Sequence, residues 1–310
     1  PVNVFIAFVA VCCSVFQHSF IVSLRDLCIL LDQEEKASAP EPDVHLGKFV
    51  KTIANLYACI KNDDERNFAC ISLYIIGWQC AYQLNTTTVV SKWILPKMEY
   101  KLSDRVTSSY WSGLVAFSKN AWTDAVKYLS FSFHKTPPRF HRHRKIVLYL
   151  LIPAKLAACL SKQDEGAFAS PTLLDKYGLP ELADLVSAFQ VGNVKAFERN
   201  LVVHEDLYVR KKIFLQLTKL RLLLYRNLLK RCCTLLLSVH NVPPSQTGRV
   251  KIAHLCAAAQ AGGWDVDEIE LECVLGMLIK KTIIKGNLDK ERATVIFPPR
   301  TSKPSFPRAT

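Results

Sequence analysis

Gly248-Arg-Val-Lys-Ile-Ala-His-Leu-Cys-Ala-Ala-Ala-Gln260, Asp265-Val-Asp-Glu-Ile-Glu-Leu-Glu-Cys-Val-Leu-Gly-Met-Leu-Ile279 and Thr282-Ile-Ile-Lys-Gly-Asn-Leu-Asp289 decide the fold of this chain. The first reads as a compact helix with an apolar face, halted at Gly262-Gly263, where glycine supplies a left-handed cap. The second restarts a helix with acids in its first turn, as the helix dipole favours, and ends on Lys280-Lys281. The third alternates, turns near Asp289-Lys290-Glu291 and returns through Ala293-Thr-Val-Ile-Phe297. Two short helices followed by strand, turn and strand is the order of a winged helix, a module that docks on nucleic acid or protein.

Upstream, long apolar-periodic segments separated by short polar breaks predict paired helices as far as Val239, with no strand-like alternation before Thr282. Expected members include His45 to Lys61, Glu65 to Leu84, Val89 to Met98, Ser103 to Lys119, Trp122 to His134, Arg144 to Leu160 and Leu207 to Ser238. Ala116-Phe-Ser-Lys-Asn-Ala-Trp-Thr-Asp-Ala-Val-Lys-Tyr-Leu129 and Ala188-Phe-Gln-Val-Gly-Asn-Val-Lys-Ala-Phe-Glu-Arg-Asn-Leu201 form an internal repeat. They share Ala-Phe, a polar turn at the fifth position and leucine at the last. The offset suits two units of a tetratricopeptide-like hairpin, whose apolar face is covered by its neighbour. The expected class is mainly α, a right-handed stack of such hairpins followed by a winged helix. Its expected parts are an incomplete run of N-terminal helical repeats at 1–104, a helical part at 105–247, the winged helix at 248–297 and a Pro-rich tail at 298–310.

The chain has 310 residues, half of them apolar, enough to bury a full core. Lys and Arg exceed Asp and Glu by 13, and the excess lies almost wholly after residue 136. Between Asp206 and Asp265 no acid occurs, whereas Arg210, Lys211, Lys212, Lys219, Arg221, Arg226, Lys230, Arg231, Arg249 and Lys251 do. An anionic partner is implied, nucleic acid or acidic protein. Projected on one helix from Leu207, the residues Ile213, Leu217, Leu220, Leu224 and Leu228 share a side, with Lys212, Lys219, Arg226 and Lys230 opposite them as a basic ridge. That ridge is either a solvated face or a surface for a partner or nucleic acid.

The eleven cysteines lack a Cys-x-x-Cys spacing and sit mostly in apolar runs, which predicts reduced, buried thiols and a cytosolic or nuclear protein. Val2 to Leu24 is uncharged and long enough to span a bilayer, but Asn3, Gln17 and His18 interrupt it. It reads as a buried helix of the stack in a chain that begins internally at Pro1, with a membrane span or signal peptide as the alternative. His134, His141 and His143 read as a basic loop rather than zinc ligands, and Asp63-Asp64-Glu65 as a helix start. No phosphate-binding glycine loop, His-Glu-x-x-His or nucleophile elbow is present, so no catalytic residue, metal or cofactor is expected.

Ala125-Val-Lys-Tyr-Leu-Ser-Phe-Ser-Phe133, Arg144-Lys-Ile-Val-Leu-Tyr-Leu-Leu-Ile-Pro-Ala-Lys155, Leu174-Asp-Lys-Tyr177, Val191-Gly-Asn193, Leu223-Leu-Tyr-Arg-Asn-Leu-Leu229 and Asp265-Val-Asp-Glu-Ile269 resemble the PCI family. The resemblance is to its branch of PCI-domain-containing protein two, dense from about Tyr110 to Phe297 and faint before. It implies a scaffold without catalysis, the PCI subunit of transcription and export complex 2, which couples transcription to nuclear mRNA export. It also implies pairing with a GANP-type PCI scaffold and with the small acidic disordered protein shared with the proteasome lid, as an obligate hetero-oligomer. The expected location is the nucleus, near its pores, with some protein in the cytoplasm. The alternative is a PCI subunit of a proteasome-lid or signalosome-type assembly that touches only proteins.

Within the winged helix, Asp265, Asp267, Glu268, Glu270 and Glu272 crowd the helix in the recognition position and would repel phosphate. Asp267, Glu268, Glu270 and Glu272 are the candidate protein interface. Arg249, Lys251, Lys280, Lys281, Lys285, Lys290 and Arg292 are the candidate nucleic-acid contacts, suited to backbone binding without sequence preference.

Overall fold

A computed structural model describes residues 14–38, 44–60, 67–86, 90, 92–95, 100–158, 171–239 and 248–298. The first half of Val2 to Leu24, the Asp63-Asp64-Glu65 cluster, Cys12, Cys13, Cys159 and nearly all of the Pro-rich tail lie outside the described residues. The protein is mainly α, and contacts divide it into two compact units, residues 1–115 with 131–136, and residues 116–130 with 137–310.

In the first unit, α1 (Ser14–Ser38), α2 (Val44–Ile60) and α3 (Asn67–Gln83) pack on one another. The start of α2 is tied to α1 by a buried carboxylate, since Asp32 accepts from the backbone amides of His45 and Leu46, both at 2.9 Å. Two amides that a helix start leaves without intrahelical partners are satisfied from a neighbouring helix. Leu46, Val50, Ile53, Tyr57 and Ile60 line the buried face of α2 at helical spacing. Tyr57 stacks on Trp93 with ring centroids 4.4 Å apart and donates to the carbonyl of Ile94 at 2.7 Å. Residues 90 and 92–95 are turn and irregular chain, so the helix expected over Val89 to Met98 is absent where the chain is described. The Trp93 ring lies where a Cβ on Gly77 would come within 2.5 Å, and the Trp93 amide closes a turn by donating to the Val90 carbonyl at 3.1 Å, so a tertiary contact and a turn take the place of the helix. No helix among the described residues is long and apolar enough to cross a membrane.

α4 (Leu102–Ser118) and α5 (Trp122–Lys135) meet at the first copy of the repeat. Asn120, at φ 59°, donates its amide to Phe117 and Ala121 donates to Ala116, a Schellman closure. The second copy joins α8 (Pro180–Val191) to α9 (Val194–Val203) in the same way: Gly192, at φ 76°, donates to Phe189 and Asn193 to Ala188. The side chain of Asn193 then caps α9 by accepting from Ala196 at 3.0 Å. Ala116, Phe117, Ala125 and Leu129 are buried, as are Ala188, Phe189, Phe197 and Leu201, so the repeat is one of structure as well as sequence.

Between them lie α6 (His141–Ala158) and α7 (Pro171–Lys176). A buried polar cluster ties α6 to the helices that follow. The Tyr149 hydroxyl donates to Glu181 Oε1 at 2.5 Å, Asn200 Nδ2 donates to the Glu181 carbonyl at 3.0 Å, and the Tyr208 hydroxyl donates to Asn200 Oδ1 at 2.8 Å. Burial pushes both phenols up, which keeps them as donors.

The long helix expected from Leu207 is three helices: α10 (Glu205–Arg210), α11 (Phe214–Lys219) and α12 (Arg221–Val239). Lys212 adopts φ 56° and closes α10 with its amide on Val209, followed by Ile213 on Tyr208. No glycine or proline marks this break. Ile213, Leu217 and Leu220 are buried as expected, Leu217 within α11 and the other two as its N-cap and C-cap, so the breaks on either side of α11 keep all three in the interior.

α12 is the centre of the second unit, packing on α8, α9, α11 and the C-terminal module. That module contains β1 (Gly248–Lys251), α13 (Ile252–Ala261), α14 (Glu268–Lys280), β2 (Asn287–Asp289) and β3 (Thr294–Phe297). Its antiparallel sheet has the order β1-β3-β2, with Val250 opposite Val295 and Leu288 opposite Val295. With α12 as the leading helix, this is the element order of a winged helix. Residues 248–251 are therefore a strand and not the start of a helix, because β3, distant in sequence, supplies their backbone partners. Val295 and Phe297 are buried, as are Leu228, Ile252, Leu255, Val274 and Leu278, while Ile296 falls on the outer, half-buried face of β3.

Gly192 carries both a left-handed backbone and a close approach, for a Cβ there would lie 2.7 Å from the Leu228 amide nitrogen. Gly192→Ala is expected to cost about 2–4 kcal/mol in urea unfolding, from the left-handed strain and the overpacking together. Gly276→Ala, where the added Cβ meets nothing within 4 Å, should instead be neutral or gain up to ~1 kcal/mol. Equal melting of the Gly192 variant and the parent would refute the approach.

Eight cysteines are described, and no disulfide joins any of them. Burial pushes Cys70 up to about 11 and Cys80 up to about 12, whereas Cys59 and Cys273 are exposed. Since the thiolate is the reactive form, maleimide at neutral pH should label Cys59 and Cys273 within minutes and leave Cys70 and Cys80 until denaturant is added. Rapid native labelling of Cys80, read by mass spectrometry, would contradict this packing.

Candidate nucleic-acid and protein interface

The site is built on the winged helix. α14 opens at Asp267, whose Oδ1 accepts from the Glu270 amide at 2.6 Å, and Glu268 and Glu270 occupy its first turn. These acids are accounted for by capping and by the helix dipole. The inner face of α14 buries Leu271, Val274, Leu275 and Leu278. Its outer face carries Ile269, which is 75% exposed, then Cys273 and Met277, spaced four residues apart on one stripe. The carboxylates beside this apolar stripe would repel phosphates lining a nucleic-acid groove.

The candidate cations fall into three groups. Arg249 and Lys251 point outward from β1, on the sheet face shared with Thr294 and Ile296. Lys280 and Lys281 end α14, where cations complement the helix dipole, and Lys285 is exposed beyond them. Lys290 and Arg292 occupy the wing turn, which Asp289 closes by accepting from the Arg292 amide at 3.2 Å. Lys290 Nζ lies 3.6 Å from Glu272 Oε1. One expected phosphate contact is thus engaged with one expected protein contact, a pairing that sequence spacing does not reveal.

The basic ridge does not form. Lys212 sits in the left-handed turn after α10, and Lys219 Nζ donates to Asn120 Oδ1 at 3.0 Å. Arg226 is only 4% exposed, with its Nη1 donating to Asn227 Oδ1 at 3.1 Å. Lys230 remains exposed on α12. Breaking of the helix removes the common face, and Arg226 packs inward because α12 is covered from several directions. His141, expected in a solvated loop, begins α6, stacks on Tyr177 at 4.6 Å and places Nε2 3.2 Å from the Lys176 carbonyl.

Sequence reasoning missed the residues that orient this module. Asn227 Nδ2 donates to the Phe189 carbonyl at 3.1 Å, and Arg231 Nη1 donates to the Val191 carbonyl at 2.6 Å, so α12 side chains cap the end of α8. Tyr225 of α12 stacks on buried Trp264 with centroids 4.3 Å apart and planes 6° from parallel. The signal for the first pair was an asparagine in mid-helix, two residues after a tyrosine that needed a partner.

Helical hairpins followed by a module with the element order of a winged helix, which shares its leading helix with them, define a mainly-α helical-repeat protein. No family model matches the chain. It is 32% identical to PCI domain-containing protein 2 of Danio rerio over 212 residues, 66% of this chain and 49% of that protein. The PCI domain-containing protein 2 homolog of Dictyostelium discoideum is 29% identical over 205 residues, 66% of this chain and 44% of the relative. The protein CSN12 homolog of Gibberella zeae is 27% identical over 223 residues, 69% of this chain and 47% of the relative. The chain belongs to the PCI-domain family, on the branch of PCI domain-containing protein 2. It spans about half the length of the curated relatives it matches.

Leu278, fully buried on α14, tests the module as a folding unit. Leu278→Asp should abolish the cooperative melting of the C-terminal region, because an unpaired buried carboxylate is among the costliest of substitutions. Lys290→Ala should shift stability by less than ~1 kcal/mol, since its ion pair with Glu272 is exposed. A silent Leu278→Asp variant would move that residue out of the core.

Proposed function

We propose that this protein is a non-enzymatic scaffold subunit of the nuclear mRNA-export complex, transcription and export complex 2. It pairs there with a GANP-type PCI scaffold and with the small acidic disordered protein shared with the proteasome lid. Its site of action is the nucleus, near the pores. The apolar and acidic face of α14 meets protein, and the cations around it contact RNA or DNA through phosphates. The observation that carries this reading is the segregation of charge on one module: Ile269, Cys273 and Met277 run along α14, while Arg249, Lys251, Lys280, Lys281 and Lys285 stand exposed around it. The exposed apolar stripe also suits the second reading, a PCI subunit of a proteasome-lid or signalosome-type assembly that contacts only proteins.

Filter binding of the assembled complex at several salt concentrations separates the two. Reversal of Lys280, Lys281, Lys285 and Lys290 to Glu should weaken binding to unrelated sequences alike. It should also flatten the salt dependence by about 0.7–0.9 for each phosphate that is no longer neutralised. Folding and scaffold binding should survive. A quadruple variant that binds like the parent removes the nucleic-acid surface, and weakening confined to one sequence would indicate base readout instead.

A further inference from the structure

The start of α6 carries a second charged surface, remote in sequence from the winged helix. No acidic residue lies between Asp124 and Asp164, whereas Arg139, Arg142, Arg144 and Lys145 cluster there. α6 opens on His141-Arg142-His143-Arg144 with no acid in its first turn. Cations at a helix N-terminus oppose the dipole by about 0.3–1 kcal/mol each, so helix stability does not explain them.

Part of the cluster has a structural use. Lys145 Nζ donates to the Gly178 carbonyl at 2.8 Å, Arg144 Nη1 donates to the Tyr177 hydroxyl at 3.0 Å and His141 stacks on Tyr177, together securing the end of α7. Arg139, Arg142 and His143 have no such use: each is exposed, and no carboxylate among the described residues pairs with them. Around them stand apolar groups that are not buried. Phe140 is 43% exposed, with the Arg139 guanidinium 5.0 Å above its ring and the His143 imidazole set edge-on at 5.9 Å. Exposed Ile146 follows Arg142 by one helical turn on the same face.

We infer that Arg139, Phe140, Arg142 and His143 form a binding surface for single-stranded nucleic acid, with Phe140 and the Arg139 guanidinium stacking a base and the cations holding the flanking phosphates. An unstacked base presents the π-face that a ring and a guanidinium plane accept, whereas bases inside a duplex do not. An acidic peptide would use the cations and leave the exposed ring without a role. A bilayer calls for a broad apolar face, and only Phe140 and Ile146 are offered. The inference does not depend on the winged-helix surface.

Fluorescence anisotropy of the full chain with a labelled oligouridine, and with a duplex of equal length, tests it. Phe140→Ala should weaken oligouridine binding by about five- to tenfold, the scale of a single base stack, and leave duplex binding unchanged. Arg139→Glu with Arg142→Glu should weaken both and lower the oligouridine salt slope by about 1.4. All three side chains are exposed, so melting temperatures should match the parent. The same variants made on a background of Lys280, Lys281 and Lys285 reversed to Glu should lower the residual binding further, so this surface and the winged helix are scored apart. Oligouridine binding unaffected by Phe140→Ala, an equal weakening of both probes by Phe140→Ala, absence of oligouridine binding by the parent, or binding only to phosphatidylserine vesicles would each overturn the inference.

Discussion

The second unit depends on the approach of the α12 backbone to Gly192. Without a side chain at that position the end of α8 comes close enough for Asn227 and Arg231 to cap its last carbonyls, which a helix leaves without intrahelical partners. On the same turn of α12, Leu228 extends to Gly262, where an added Cβ would lie 2.7 Å from its Cδ1. One turn of helix is therefore clamped between a glycine of the repeat and a glycine of the winged helix. The stack of Tyr225 on Trp264 adds a flat apolar contact beside it. Within the second unit, the winged helix is consequently an extension of the helices α8, α9 and α12.

That arrangement also governs how the positive charge is distributed. Several cations of the acid-free stretch are structural: Lys219 holds Asn120, Arg221 pairs with Glu198 at 2.7 Å, Arg226 is buried and Arg231 caps α8. A bundle that ends several short helices against α12 needs donors for their carbonyls, and Arg and Lys provide them at long reach. Exposed cations that make no such contact include Lys280, Lys281 and Lys285 around the end of α14, Arg249 and Lys251 on the outer face of β1, Lys230 on α12, and Arg142 at the start of α6. There the charge is open to a partner outside the fold.

Some of this was legible along the chain and some was not. The two repeat copies were visible because a Schellman closure needs a left-handed residue at one fixed offset, which Asn120 and Gly192 supply. The acids opening α14 and the glycines closing α13 were visible for the same reason, since caps are local. The ridge of Lys212, Lys219, Arg226 and Lys230 was misread because periodicity carries no information about a break made by a non-glycine residue. Strand β1 was missed because four residues ahead of a helix acquire their pairing only from β3. The Lys290 and Glu272 pair likewise joins positions whose nearness depends on the wing folding back on α14.

Sequence alone thus determined the helical class, the repeat unit, the winged-helix segment and the surplus of cations, since each rests on spacing within a turn or two of chain. Tertiary structure decided which cations face solvent, where the helix from Leu207 breaks, and that α12 belongs to both modules. Those outcomes depend on what packs against a residue from far along the chain, as Leu228 shows by meeting Gly192 on one side and Gly262 on the other.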